Sequence, residues 1–206
     1  MIGLAIGHSR RGDSGAYTVG KPSVSEKKFN TELLPLITPK LKVPYKIYDD
    51  YNASSYVGAM NYVSRKMRED GVDACIEFHF NAAGPRATGH EWLHWETSRG
   101  GRRLANKLKE AMDKAYPDLA SRGAKPRKKG QRGALFLRKT PCYACIAEPF
   151  FGSNLSDVEL IQSDLNKFQS KFKSKLKSIF FSRPRVHAFF LKTFFFMTTG
   201  TRLFLF

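Results

Sequence analysis

"GHEWLHWE", residues 89–96, decides between two folds. Within it, His90-Glu91-Trp92-Leu93-His94 has the spacing with which two imidazoles on one helical turn share a zinc ion. That chemistry requires a helix, where positions i and i+4 stack on one face. On a strand the same two residues share a face but lie about 13 Å apart, too far for one ion. Turn formers close in from both sides: Ala83-Gly84-Pro85-Arg86-Ala87-Thr88-Gly89 before, Thr97-Ser98-Arg99-Gly100-Gly101 after. The window left is short for a helix, and Trp92, Leu93 and Trp95 suit a strand. The stretch therefore predicts a strand, and a metal-binding set has to be sought elsewhere.

Working outward, similar runs occur at 2–7, 43–48, 72–79, 133–138 and 144–148. Several are almost continuously apolar, as strands buried on both faces are. Helical patterns separate them. Ser23-Val24-Ser25-Glu26 has the form of a capping box opening a helix through Leu34. Ser54 or Ser55 caps a helix carrying Met60, Val63 and Met67, ended by Gly71. Leu104, Leu108, Met112 and Ala115 mark a third, stopped by Pro117. Ser156-Asp157-Val158-Glu159 is a second capping box. Its helix carries Val158, Ile161, Leu165, Phe168, Phe172, Leu176 and Ile179 in steps of three and four, with Lys167, Lys171, Lys173, Lys175 and Lys177 on the other face. This alternation predicts an α/β fold: three layers, with a largely parallel twisted sheet of about six strands flanked by helices. Residues 122–133 read as a basic loop, either a solvated turn or a clamp for carboxylates. The expected domain spans 1–181. Residues 182–206, basic and Phe-rich without a clear period, are expected to be a C-terminal extension, either poorly ordered or lying on anionic membrane.

The net charge is +17, and nine basic residues lie beyond Asp164, where no acid follows. Such a chain favours polyanions: nucleic acid, anionic membrane or cell-wall polymer. Met1-Ile2-Gly3-Leu4-Ala5-Ile6-Gly7 lacks the basic start of a signal peptide, and its apolar run stops at His8. Three cysteines, Cys75, Cys142 and Cys145, argue against a disulfide scaffold. The Cys142/Cys145 pair has no second pair with which to build a zinc ribbon, so buried small residues are expected.

In open α/β sheets, ligands collect at the carboxyl ends of the strands. There the chain places His8, then His79 and Asn81, then Glu148, with Glu26 opening the helix after the His8 loop. If these ends converge, two imidazoles and one carboxylate make a catalytic zinc set with a position left for water. The other carboxylate can then serve as general base. The plainer alternatives are strand-end histidines, a Glu26 that only completes the capping box, and a Glu148 paired with a cation of the 125–132 segment.

Several ordered motifs carry a resemblance. "IGHSRRGDSGA", "SEKKFN", "ACIEFHFNAA", "GHEWLHWE" and "SRGAKPRKKGQRGALFLRKTPCYACIAEPFFGSN" resemble the zinc-dependent N-acetylmuramoyl-L-alanine amidases of the amidase-3 type, from Gly3 to about Ile179. This group includes bacterial autolysins and phage endolysins. The resemblance implies that His8, Glu26 and His79 bind Zn2+, that Glu148 is the catalytic carboxylate, and that the HEWLH segment is a strand. It implies a strand after the basic loop. It implies peptidoglycan as partner and, as the bond cleaved, the amide between the lactyl group of N-acetylmuramic acid and L-Ala. No specific nucleic acid is expected. Anionic membrane or wall polymers are possible partners of the basic tail. The leaderless start suggests synthesis in the cytoplasm and phage-type release to the wall, with a leaderless host enzyme as the alternative. Substrate-binding residues stay unassigned. Glu77 stands where many members have a small residue. On a strand it shares the face of His79, and could orient that imidazole or pair with a cation. Two rivals remain: a zincin-like metallopeptidase using His90, Glu91 and His94, and a non-enzymatic cationic protein binding nucleic acid or membrane.

Overall fold

The apolar runs pair into one six-stranded sheet, seen in a computed structural model that describes residues 1–41 and 43–163. The strands are β1 (Ile2–Ile6), β2 (Tyr45–Tyr48), β3 (Ala74–Phe78), β4 (His90–Trp95), β5 (Ser121–Arg127) and β6 (Tyr143–Glu148). Their order is β2-β1-β3-β6-β4-β5. Every neighbouring pair is parallel except β4 with β6. The HEWLH stretch is β4, a strand as its flanks require. Because β4 runs against β6, its N-terminal end meets the carboxyl ends of β1, β3 and β6.

Among the described residues five α-helices complete the layers: α1 (Glu26–Ile37), α2 (Tyr56–Glu69), α3 (Arg99–Ala115), α4 (Ala134–Lys139) and α5 (Leu155–Ser163). One sheet face packs Leu4, Ile76 and Trp92 against Leu34 of α1, Leu108 of α3 and Ile161 of α5. The other packs Ala5, Cys75, Leu93 and Ile146 against Met60 and Val63 of α2 and Phe136 of α4. Alternation along a strand explains the division: Trp92 and Leu93 are neighbours in sequence and lie in different cores. Trp92 is completely buried, so Trp92→Ala should cost about 3–5 kcal/mol.

Three local readings need correction. Residues 133–138 are not a strand: Ala134–Lys139 form α4, entered through Gly133 at φ 77°. A run as short as Ala134-Leu135-Phe136-Leu137 does not distinguish strand from buried helix by period. The missing strand is β5, inside the segment read as a basic loop. It lies at the sheet edge, where Pro126 is tolerated and basic side chains stay solvated, so it lacks an apolar signature. The capping residues also differ. Ser25, not Ser23, caps α1 by accepting from Lys28 N, while Ser23 Oγ donates to the Thr18 carbonyl. At α5 the Asn154 side chain accepts from Asp157 N, in place of Ser156.

Ser55 caps α2 as read, and Gly71 follows its end at φ 66°. Val158 and Ile161 are buried as the apolar stripe predicts. The stripe from Leu165 onward, the lysine face, the 181/182 boundary and the Phe-rich segment lie outside the described residues. Cys75 and Cys145 are buried free thiols and Cys142 is half-buried.

Candidate metal centre and active-site cleft

The centre is assembled from three chain ends. β1 stops at Gly7, whose N–H donates to the Phe78 carbonyl, and Ser9 Oγ closes the turn onto the Ile6 carbonyl. Between them His8 adopts φ 60°, a left-handed conformation that costs a non-glycine residue about 1–3 kcal/mol and is retained where a site demands it. β3 delivers His79, whose ring occupies the space where a Gly7 side chain would be: a Cβ there would lie 2.2 Å from His79 Cε1. α1 begins with Glu26, buried at 3% exposure.

Glu26 joins the two histidines. Its Oε1 lies 2.6 Å from His79 Nδ1 and accepts from Phe80 N at 3.2 Å. Its Oε2 lies 3.3 Å from His8 Nε2 and accepts from Ala16 N at 3.2 Å. The two imidazoles stand edge to face, their centroids 5.0 Å apart. One donor atom from each of His8, Glu26 and His79 lies within 4.8 Å of the others. Gly15, at φ 71°, closes the back: a Cβ there would lie 2.7 Å from Glu26 Oε2. Glu26 is thus more than a helix-capping partner. Burial works to raise its carboxyl, but His79 and His8 outweigh it and hold Glu26 well below the usual carboxylate range. Burial works to lower both imidazoles; Glu26 reverses this for His8, and Glu26 with Glu77 reverses it for His79. Two imidazoles and a buried carboxylate around one point are the donor set that zinc takes.

Each imidazole also meets a carboxylate at its far nitrogen. His8 Nδ1 lies 2.9 Å from Asp13 Oδ1, and His79 Nε2 lies 3.3 Å from Glu77 Oε2. Asp13 was not singled out in the sequence. Its position five residues after His8, in a Gly-containing turn, is the only local sign of it.

Glu148, at the end of β6, lines the same cleft of about 770 Å³, together with His8, Glu26, His79, Glu91 and Arg132. Its Oε2 is buried without a hydrogen-bond partner among the described residues. Burial pushes its pKa up to about 7. The cations of β5 do not pair with it. They pair with Glu91, which accepts from Arg122 Nε at 3.0 Å, Lys125 Nζ at 2.7 Å and Arg127 Nη2 at 3.4 Å. The register shift between His90 and Glu91 leaves Arg122 as the extra residue of the β4–β5 ladder. Asn81 lines the cleft too, and its Oδ1 accepts from Ala82 N.

The HEWLH side chains do not converge. His90 is completely buried, accepts from Trp92 Nε1 at Nδ1, and has Nε2 3.2 Å from Asp113. His94 Nδ1 lies 2.9 Å from the Trp95 carbonyl. Glu91 projects from the opposite face, into the cleft. The zincin reading fails on this geometry.

The sequence pattern of one family, described as N-acetylmuramoyl-L-alanine amidase, matches residues 2–177. The chain belongs to that family. It is an N-acetylmuramoyl-L-alanine amidase, and peptidoglycan is its substrate. No curated protein matches the sequence. Similar solved structures include an N-acetylmuramoyl-L-alanine amidase from Clostridium difficile 630, 19% identical with a TM-score of 0.71 over 88% of this chain and 97% of that one. The catalytic domain of an endolysin targeting Clostridia difficile is 21% identical, TM-score 0.69, over 84% and 94%. A putative amidase from Neisseria meningitidis is 24% identical, TM-score 0.65, over 85% and 92%. At these identities the likeness is one of fold. The amidase's cleft therefore has to be understood from its own residues.

Proposed function

We propose that this amidase is a zinc hydrolase that cleaves the amide between the lactyl group of N-acetylmuramic acid and L-Ala, with His8, Glu26 and His79 holding the metal and Glu148 as the catalytic carboxylate. The observation that carries this reading is the Glu148 side chain, whose Oε2 is buried without a hydrogen-bond partner among the described residues, lining the same cleft as three convergent donor groups. When bound, zinc would supply Lewis-acid polarisation of the carbonyl and of water.

The chain's own groups account for the proton traffic. A base is most useful with a pKa near the working pH, where burial has put Glu148. A Glu148 carboxylate oxygen takes the proton of the attacking water as its oxygen bonds to the carbonyl carbon. The same oxygen then gives that proton to the L-Ala nitrogen as the C–N bond breaks, so no covalent enzyme adduct is needed. Asp13 and Glu77 hold the imidazoles from behind.

The test is digestion of purified sacculi by the zinc-loaded chain. Expected are new L-Ala amino groups without new reducing sugars. Reducing ends would indicate a glycosidase, and no released product a binding protein. His79→Ala should lose both metal and cleavage, and full zinc occupancy in that variant contradicts the ligand assignment.

The setting we propose is wall degradation in phage-type lysis, in keeping with the fold shared with an endolysin catalytic domain and a cationic chain suited to anionic wall. Expression in the bacterial cytoplasm with and without a membrane-permeabilising partner tests it. Lysis is expected only with the partner; lysis across an intact membrane points instead to an exported enzyme.

A further inference from the structure

Glu77 is a carboxylate in the middle of a sheet. It sits on β3 between Ala5 of β1 and Ile146 of β6, at 4% exposure. A buried carboxylate is costly unless its oxygens are satisfied. Among the described residues no lysine or arginine pairs with it. Its partners are two: Tyr51 OH donates to Oε1 at 2.9 Å, and His79 Nε2 lies 3.3 Å from Oε2. Tyr51 is itself 2% exposed, and its N–H donates to the carbonyl of Ser9, the residue after His8.

The His79 ring thus lies between two carboxylates, one at each nitrogen. Glu26, at Nδ1, is shared with His8; Glu77, at Nε2, is shared with Tyr51. A neutral imidazole has one N–H and one lone pair, and the group that takes the N–H decides which nitrogen is free to ligate. We propose that Glu77, anchored by Tyr51, is a positioning residue that takes the Nε2–H of His79 and leaves Nδ1 turned to Glu26 and His8 as the metal-binding atom. Asp13 does the converse for His8, taking Nδ1–H so that Nε2 faces Glu26. The two histidines then present opposite nitrogens to one point. This inference rests on the metal site proposed above.

The experiment measures zinc affinity of the full chain by competition with a chromophoric chelator, and the His79 tautomer by 15N NMR with zinc bound. Wild type should bind one zinc with His79 protonated at Nε2. Glu77→Gln, which keeps the shape but weakens the acceptor, should bind zinc on the order of 10–100-fold less tightly. Tyr51→Phe keeps the ring and should weaken zinc several-fold, giving a second variant should Glu77→Gln fail to fold. Wild-type zinc affinity in both variants overturns the proposal, as does His79 protonated at Nδ1 in the zinc-loaded protein. A wild-type chain that binds no zinc overturns the metal site itself, an outcome distinct from a zinc protein indifferent to Glu77.

Discussion

Glu91 and Glu148 stand directly opposite one another across the antiparallel β4–β6 pair, and among the described residues only Glu91 is paired with cations. Burial works to raise Glu91, but Lys125 and Arg122 outweigh it and hold its carboxyl below the usual range. Among the described residues Glu148 has no such cation, and burial pushes it up to about 7. Environment alone separates two side chains of the same kind, one fixed as an anion and one able to exchange a proton.

Glu148→Gln should keep zinc and sacculus binding while kcat falls by about 10²–10⁴-fold, the usual worth of general acid–base help. Turnover on sacculi and metal content measured on one preparation check this. Near-normal turnover would remove Glu148 from the chemistry.

The raised Glu148 pKa also fixes the sign of two pH effects. As a base Glu148 must be ionised, so kcat/KM should fall on the acid side, at a pH set by its raised pKa less the lowering that a bound cation brings. Stability runs the other way. A carboxyl whose pKa rises from 4.5 to about 7 on folding favours the fold below its unfolded pKa, and loses that contribution as pH climbs through the folded value. At pH 8 the metal-free Glu148→Gln chain should therefore be more stable than wild type, by on the order of 3 kcal/mol. Urea unfolding at pH 5 and pH 8 measures it; equal wild-type-to-variant differences at both would refute the shift.

Glu91→Gln removes a negative charge beside Glu148 and frees three cations. Both changes favour ionised Glu148, so the acidic limb of the pH–rate profile should move to lower pH. A limb that stays in place, or moves up, contradicts the electrostatic link.

His94→Ala should retain zinc, since His94 belongs to a strand face turned from the cleft. A buried side chain is lost, so the fold should weaken by about 1–3 kcal/mol. Chelator competition beside thermal unfolding separates the two effects. Loss of zinc from this variant, with zinc kept in His8→Ala, would restore the HEWLH reading.

Gly15→Ala tests the packing behind the centre. A Cβ there meets Glu26 Oε2 at 2.7 Å, in a conformation that disfavours any side chain. Zinc affinity should fall with little change in far-ultraviolet circular dichroism; unchanged affinity would show that the carboxylate can shift freely.

The strand over 90–95 was legible because its evidence is local: breakers on both sides, and a period that suits one backbone state. His8, His79 and Glu148 were legible as strand-end residues for the same reason, and the rule that ligands gather at such ends made their meeting worth expecting. β5 was missed because an edge strand needs no apolar alternation, and α4 because six residues are too few to reveal a period. Neighbour relations were legible only within one strand: the two-residue spacing puts Glu77 on the face of His79. Nothing near Glu77 names Tyr51 as its other partner, and nothing near Glu91 names Arg122, Lys125 and Arg127. Those contacts depend on strand order, register and the reversal of β4, which are pairings between residues far apart in the chain. Periodicity is a property of consecutive residues and survives in the string; which carboxylate meets a cation and which stays bare is settled only when the sheet closes around them.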